Sequence, residues 1–221
     1  RDLLALMDRL GIERSLVRHT MAIDYDVREG NRVLMEEIAG QKRLLPCWTL
    51  LPPGTDELGA NWLDHMVESG VRAAAIYPAS HEYPLAAWQC DDLLGPLAER
   101  RYLLLIETSE ADWEPIHWLC GTYRSLQVIL LNTGYRVLRP LFALLDAHTN
   151  LHLDISTLSN FGGIEAVCTR FGAERLIFGT GQPRNEGAGP VSALNYADLS
   201  EGEVESIAGG NLERLLGEVV V

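Results

Sequence analysis

The sequence predicts an α/β fold, a (β/α)₈ barrel whose first strand is missing from the chain. Short apolar runs of strand-forming residues alternate with amphipathic segments. Successive runs begin about 25 to 30 residues apart, the length of one strand and one helix on a parallel sheet. Seven runs are present, namely Ser15–Thr20, Arg43–Leu51, Val71–Tyr77, Tyr102–Glu107, Gln127–Asn132, Leu151–Ser156 and Arg175–Thr180. Because a closed barrel needs eight strands, we expect the first to lie upstream of Arg1.

The segments between the runs are predicted to be helices that cover the sheet. Their apolar residues recur at three- and four-residue spacing, and the first of them, Asp2 to Leu10, has no strand before it. Gly11 suits a left-handed cap at the end of this helix, and Ser200 with Glu203 fits a capping box near the C-terminus. The alternative, a doubly wound open sheet, would need a glycine-rich phosphate-binding turn after an early strand, and the sequence has none.

Length, composition and charge limit the class of protein. The 221 residues are 47% hydrophobic, which is enough for one sizeable core, so residues 1–221 are expected to form a single domain. A net charge of −13 argues against a nucleic-acid partner, and no apolar run reaches the roughly 18 residues of a membrane span. Four scattered cysteines without CxxC spacing favour reduced thiols and a cytoplasmic location. The two strand edges beside the missing strand would be unpaired, and a homo-oligomer is one way to cover them.

Three motifs follow one another in the C-terminal third: NLHLDIS, then GAERLIFGTGQP, then LSEGEVESIAGGNLERLLG. In these motifs the sequence resembles the amidohydrolase-2 group of metal-dependent hydrolases, and GVRAAAIYP followed by YPL is similar to that group's fourth strand and loop. The matching residues are Asn150, Asp154, Ser156, Gly172, Arg175, Phe178, Gly179, Thr180, Pro183 and Asn211. The resemblance implies a TIM barrel of the amidohydrolase type and a hydrolase.

The same resemblance implies a divalent metal such as zinc. In that group a His-x-His pair on the first strand, histidines ending the fifth and sixth strands, and an aspartate ending the eighth hold the metal. The positions present in this sequence carry Glu107 with Thr108, Asn132 and Gly181 instead. An amide is a weak metal donor and glycine supplies no side chain, so we predict degenerate metal-ligand positions, no family-type metal site and no cofactor.

Two carboxylates are the candidate catalytic residues. Glu107 ends the fourth run, where barrel strands open into the active-site mouth, and there a partly desolvated carboxylate can act as a general acid or base. The alternative is a salt bridge to Arg136. Asp154 and Ser156 alternate with apolar residues and are therefore predicted to face the barrel interior, as catalytic groups or as a structural network.

Five further side chains are predicted to bind a small carboxylate-bearing substrate: Asn132, Arg136, Gln182, His81 and Tyr77. All except Gln182 have a structural alternative, which for Arg136 is the salt bridge to Glu107. Asn132 would be a neutral replacement for a histidine, Tyr77 would be part of the core, and His81 would be an exposed loop residue. His152 begins its strand near the barrel floor and is predicted to be a buried core histidine.

Three functional hypotheses follow. The first is an amidohydrolase-like hydrolase, or a related lyase, that acts on a small carboxylate-bearing substrate without a tightly held metal. The second is a non-catalytic barrel that binds a small molecule or a partner. The third is a metal-dependent hydrolase that takes ligands from the missing N-terminus. A chelator distinguishes the first from the third, because only the third would lose its activity.

Overall fold

The computed structural model describes residues 2–54 and 57–220, and its strands form one parallel sheet. The strands are β1 (Ser15–Val17), β2 (Leu44–Thr49), β3 (Ala73–Ile76), β4 (Leu103–Glu107), β5 (Gln127–Leu131), β6 (Leu151–Asp154) and β7 (Leu176–Ile177). Their order in the sheet follows the chain from β1 to β7, and every neighbouring pair is parallel. Each strand lies inside one of the seven predicted runs, so the predicted barrel order is confirmed.

Helices connect the strands and continue after the last of them. They are α1 (Asp2–Leu10), α2 (Met21–Asp24), α3 (Val27–Glu37), α4 (Trp62–Glu68), α5 (Ala87–Glu99), α6 (Trp113–Thr122), α7 (Leu138–Ala147), α8 (Gly163–Phe171), α9 (Ala188–Asn195), α10 (Glu201–Glu205) and α11 (Asn211–Gly217). The predicted first helix has the predicted bounds, Gly11 is left-handed, and Ser200 with Glu203 forms the capping box. None of the helices in the described ranges is long and apolar enough to cross a membrane.

The two faces of the sheet bury two sets of side chains. Residues such as Leu104 and Leu130 pack outward against the helices, whereas Leu105 and Ile129, one position away, belong to the inner cluster. This alternation follows from the two-residue period of a strand. Leu216 of α11 joins the inner cluster, and its carbonyl accepts a hydrogen bond from Arg72 at the start of β3. The C-terminal helix therefore closes the barrel at the amino ends of the strands, which we call the floor.

Buried polar side chains tie the loops of the floor together. Asn150 donates from its Nδ2 to three backbone carbonyls at 2.9 to 3.2 Å, those of Cys120, Tyr123 and Leu126. Arg175 donates to the carbonyls of Leu151 and His148, and Asn211 donates to those of Ala173 and Leu176. We call these three residues the floor clamps. All three belong to the C-terminal motifs on which the resemblance was based. Part of the resemblance therefore lies in residues that hold the backbone of the floor loops in place.

The crossing of α2 and α3 depends on a glycine. A Cβ at Gly30 would lie 2.1 Å from the backbone nitrogen of Ala22, and backbone atoms cannot give way as a flexible side chain can. We therefore expect Gly30→Ala to lower the free energy of unfolding by at least about 2 kcal/mol, measured by urea denaturation. Gly95 is the matched control, because it also lies in a helix and its Cβ would meet nothing within 4 Å. Gly95→Ala should stabilise by roughly 0.5–1 kcal/mol, and equal effects at the two sites would contradict the packing argument.

Candidate active site

The carboxyl ends of β4 and β5 bring a carboxylate and an amide into contact. Glu107 ends β4 and points inward because Leu103 and Leu105 on the same strand belong to the inner cluster. Asn132 follows β5 with a φ of 59°, a left-handed conformation that asparagine tolerates better than most residues. Its Nδ2 donates to Oε2 of Glu107 at 2.7 Å. The turn at Asn132 thus directs its amide across to the neighbouring strand.

An arginine compensates the charge of Glu107. Nη1 of Arg184, in the loop after β7, lies 3.2 Å from each carboxylate oxygen of Glu107. The side chain of Glu107 is 9% exposed, whereas that of Arg184 is 64% exposed, so the arginine covers the carboxylate from the solvent side. The sequence had indicated Arg136 for this salt bridge, but Arg136 lies in an exposed turn after β5.

A second arginine reaches the interior from β1. Arg18 follows this strand two residues after Leu16, which packs against the inner cluster, so alternation turns Arg18 inward as well. It donates to the hydroxyl oxygen of Tyr77, and its guanidinium carbon lies 5.7 Å from the centroid of the Tyr77 ring. The Tyr77 residue is 1% exposed, and this burial raises the pKa of its hydroxyl. A ligand in the mouth would therefore meet Arg18 before Tyr77.

Asp154 ends β6 as a buried carboxyl group. Its Oδ1 accepts hydrogen bonds from the backbone N–H and the hydroxyl of Ser156. A Cβ at position 179 would lie 1.7 Å from its Oδ2, so Asp154 fits only because Gly179 has no side chain. Burial raises the pKa of Asp154 to about 6, while the hydrogen bonds from Ser156 and the nearby Arg18 act in the opposite direction. This carboxyl group therefore exchanges its proton near pH 6, well above the usual range of an aspartate.

The raised pKa of Asp154 makes stability depend on pH. Because the folded-state pKa lies above the ordinary value of 3.8, the contribution is fully present below about 3.8 and is lost as the pH rises through about 6. Asp154→Asn removes this titration. Between pH 4 and pH 8 we expect the variant to gain up to about 3 kcal/mol of unfolding free energy relative to the wild type. Urea denaturation at both pH values measures this, and a pH-independent difference between the two proteins would contradict it.

The other predicted site residues lie around this arrangement. Nε2 of His81 lies 2.9 Å from the carbonyl oxygen of Ile23, and its ring packs edge-on against Tyr77, so it joins the loop after β3 to α2. Gln182 is half-buried, and its backbone N–H donates to the hydroxyl of Thr180. Within the described residues, neither side chain hydrogen-bonds Glu107 or Asp154. The structure therefore groups Glu107 with Asn132 and Arg184, and Tyr77 with Arg18, whereas Asp154 is hydrogen-bonded to Ser156.

A sizeable cavity lies at the opposite end of the strands. It has a volume of about 550 Å³ and is lined at the floor by His152, Arg175 and Arg214, among others. His152 contacts the carbonyl of Glu174 and the side-chain oxygen of Gln127, and burial lowers its pKa to about 4. These contacts agree with a buried core histidine. The cavity is remote from Glu107, so we place the candidate site at the mouth.

The donors of the mouth do not by themselves complete a metal site. In the part of the chain that the structure describes, no three His, Cys, Asp or Glu side chains are close enough to hold one ion. Gly181 is left-handed with a φ of 65°, and a Cβ there would lie 2.4 Å from Nδ2 of Asn185. A carboxylate at this position would therefore clash with the present loop.

Comparison with known proteins gives a family and a fold. Residues 1–217 match the family model described as Amidohydrolase. Among curated proteins, none matches the sequence. Similar structures include an uncharacterized TIM-barrel protein from Bordetella bronchiseptica, with a TM-score of 0.79 and 17% identity over 98% of this chain and 82% of that one. A 2,6-dihydroxybenzoate decarboxylase from Rhizobium has a TM-score of 0.76 and 17% identity over 97% and 87%.

A third similar structure corrects the prediction about the cofactor. It is a 5-carboxyvanillate decarboxylase from Novosphingobium aromaticivorans with bound manganese, with a TM-score of 0.78 and 14% identity over 98% of this chain and 80% of that one. A dihydroxybenzoic acid decarboxylase from Polaromonas also contains manganese. The prediction of no cofactor is therefore wrong: manganese in these neighbours indicates a divalent metal in the family. The prediction had rested only on the residue types at the expected ligand positions of this sequence, and these do not show which ion related proteins bind.

Proposed function

This chain belongs to the amidohydrolase family, and we propose that it is an enzyme acting on a small carboxylate-bearing molecule at the mouth of its sheet. The observation that carries the proposal is the convergence of two carboxyl groups, Glu107 and Asp154, with two arginines, Arg18 and Arg184, at the carboxyl ends of the strands. Active sites of barrels lie at this end. Arg18 suits an anionic substrate, Arg184 balances the charge of Glu107, and the carboxyl groups suit proton transfer.

The preferred reaction is hydrolysis. Water adds its oxygen to the substrate carbonyl carbon and passes a proton to Glu107, while Asp154 gives a proton to the atom that leaves. A pKa of about 6 makes Asp154 able to donate this proton near neutral pH, since an acid works best when its pKa is close to the working pH. Asn132, which donates to Glu107, holds the base in place.

The support for a metal ion in this proposal comes from the similar structures. The manganese in the neighbouring decarboxylases supports a divalent ion for members of this fold. In residues 2–54 and 57–220 the donors do not complete such a site. The proton transfers described above are assigned to side chains of this chain whether or not a divalent ion assists them, and assays should be run both with and without manganese.

Decarboxylation is the second candidate, and the decarboxylases among the similar structures favour it. In that reaction the bond between the carboxylate carbon and its neighbour breaks, carbon dioxide leaves, and a proton replaces it on the neighbouring carbon. A buried acid with a pKa of about 6 is a suitable source of this proton. The similar structures include decarboxylases of 2,6-dihydroxybenzoate and 5-carboxyvanillate, which supports the same choice.

One experiment tests both reactions. The purified protein is incubated in ¹⁸O-labelled water with a panel of hydroxybenzoates and of esters and amides that carry a free carboxylate. Mass spectrometry of the products then detects incorporated oxygen, and carbon dioxide release is followed in parallel. Labelled product indicates hydrolysis, and carbon dioxide indicates decarboxylation. Binding of panel members without any turnover, at each metal condition, would contradict the proposal and leave a non-catalytic binding barrel.

A further inference from the structure

Arg18 occupies the interior of the mouth. Besides its hydrogen bond to Tyr77, it lies close enough to Cys47 on β2 and to Asp154 on β6 to lower the pKa of each, although burial raises both more strongly. These side chains belong to strands on different sides of the barrel interior. The guanidinium is therefore half-buried at the carboxyl ends of the strands, beside the ring and hydroxyl of Tyr77.

The charge of Arg18 is not balanced as that of Arg184 is. Arg184 forms an ion pair with Glu107, in which its Nη1 lies 3.2 Å from each carboxylate oxygen. Among the ion pairs of the described residues, none includes Arg18. Arg18 is within electrostatic range of Asp154 and lowers the pKa of that carboxyl group, yet the two side chains form no ion pair. A half-buried cation in this state favours an incoming anion.

We infer that Arg18 is the residue that receives the substrate carboxylate and that Tyr77 is a positioning residue that holds it there; this inference rests on the proposed function. A guanidinium presents five N–H donors in a planar fork that matches a carboxylate with two parallel hydrogen bonds. One donor is used on the Tyr77 hydroxyl, which leaves others for the ligand. The Tyr77 ring beside the guanidinium restricts the rotamers of the arginine.

This arrangement predicts a preference for acids over neutral analogues of the same shape. The neutral amide of an acid keeps the size and one oxygen but loses the charge and the symmetric acceptor pair. Charged hydrogen bonds contribute more than neutral ones, so the acid should bind about tenfold more tightly or better. Arg184 should add little to this preference, because Glu107 already neutralises it.

The test measures binding of benzoate and benzamide by isothermal titration calorimetry. We expect the wild type to prefer benzoate by about tenfold or more, Arg18→Met to erase the preference, and Arg18→Lys to retain part of it. Tyr77→Phe should weaken benzoate and leave benzamide unchanged, whereas a general structural defect would weaken both. Arg14→Met is the matched control, since Arg14 precedes the same strand at the floor and pairs with Glu213.

Two results would overturn the inference: no benzoate preference in the wild type, or a preference that survives Arg18→Met. Thermal melting of every variant shows that the fold is intact. The outcome is separable from that of the proposed function. Turnover in the substrate panel without a benzoate preference would refute only the role of Arg18. A benzoate preference without turnover would refute only the proposal that the protein is an enzyme.

Discussion

Replacing Glu107 by glutamine should lower turnover by roughly a hundredfold or more, because a positioned general acid or base contributes a factor of that size. Glutamine keeps the shape of the side chain but accepts no proton. Its amide can still approach Asn132, so the loss should appear in kcat and not in the melting temperature. The measurement is the turnover of whichever panel substrate the wild type converts, with and without manganese.

Glu114→Gln is the control for this substitution. Glu114 is an exposed glutamate in the first turn of α6, the helix that follows the strand of Glu107. Its replacement removes the same charge from the same βα unit and should leave turnover within a factor of about two, since surface substitutions have small effects. Full activity of Glu107→Gln, or a loss explained by unfolding, would exclude Glu107 as the proton acceptor.

Asn150→Ala should be the most destabilising of the polar substitutions at the floor. The change removes one amide that serves three buried backbone carbonyls, and a buried acceptor without a partner is costly. We expect a loss of about 3 kcal/mol in unfolding free energy and a fall of roughly 10 °C in melting temperature for a chain of this size. Urea and thermal denaturation measure the two quantities.

Asn195→Ala provides the comparison, because Asn195 is exposed at the end of α9. Alanine is the better helix former, so this variant should be as stable as the wild type or slightly more so. If Asn150→Ala proved equally harmless, the three carbonyls would have to find other donors, and the floor clamps would lose their assigned role. Catalytic turnover per folded molecule should be unchanged in both variants.

The strands were predictable from sequence because each is a short apolar run bounded by polar residues. Asp154 and Glu107 could be placed at strand ends for the same reason, since alternation from their apolar neighbours fixes which way they point. Arg18 obeys the same rule, two residues after Leu16, and period-two counting in the run SLVRHT would have found it.

Arg184 was beyond sequence reasoning for a different reason. It lies in a loop whose path depends on the left-handed Gly181 and on the packing of Asn185 against it, and no periodicity describes such a path. The short helix α2 was also missed, because four residues show no recognisable apolar period. The pairing of Glu107 with Arg184, where the sequence had indicated Arg136, therefore depends on the tertiary path of this loop.

The floor clamps and the mouth residues lie at opposite ends of the same strands, and this separation matters for protein engineering. Randomising positions such as Arg18 and Arg184 alters side chains that no strand, helix or floor loop needs for its backbone hydrogen bonds. Libraries confined to the mouth should therefore yield mostly folded clones, whereas libraries that include Asn150 or Asn211 should yield mostly insoluble ones. The scaffold is in this sense prepared for the laboratory evolution of new substrate preferences.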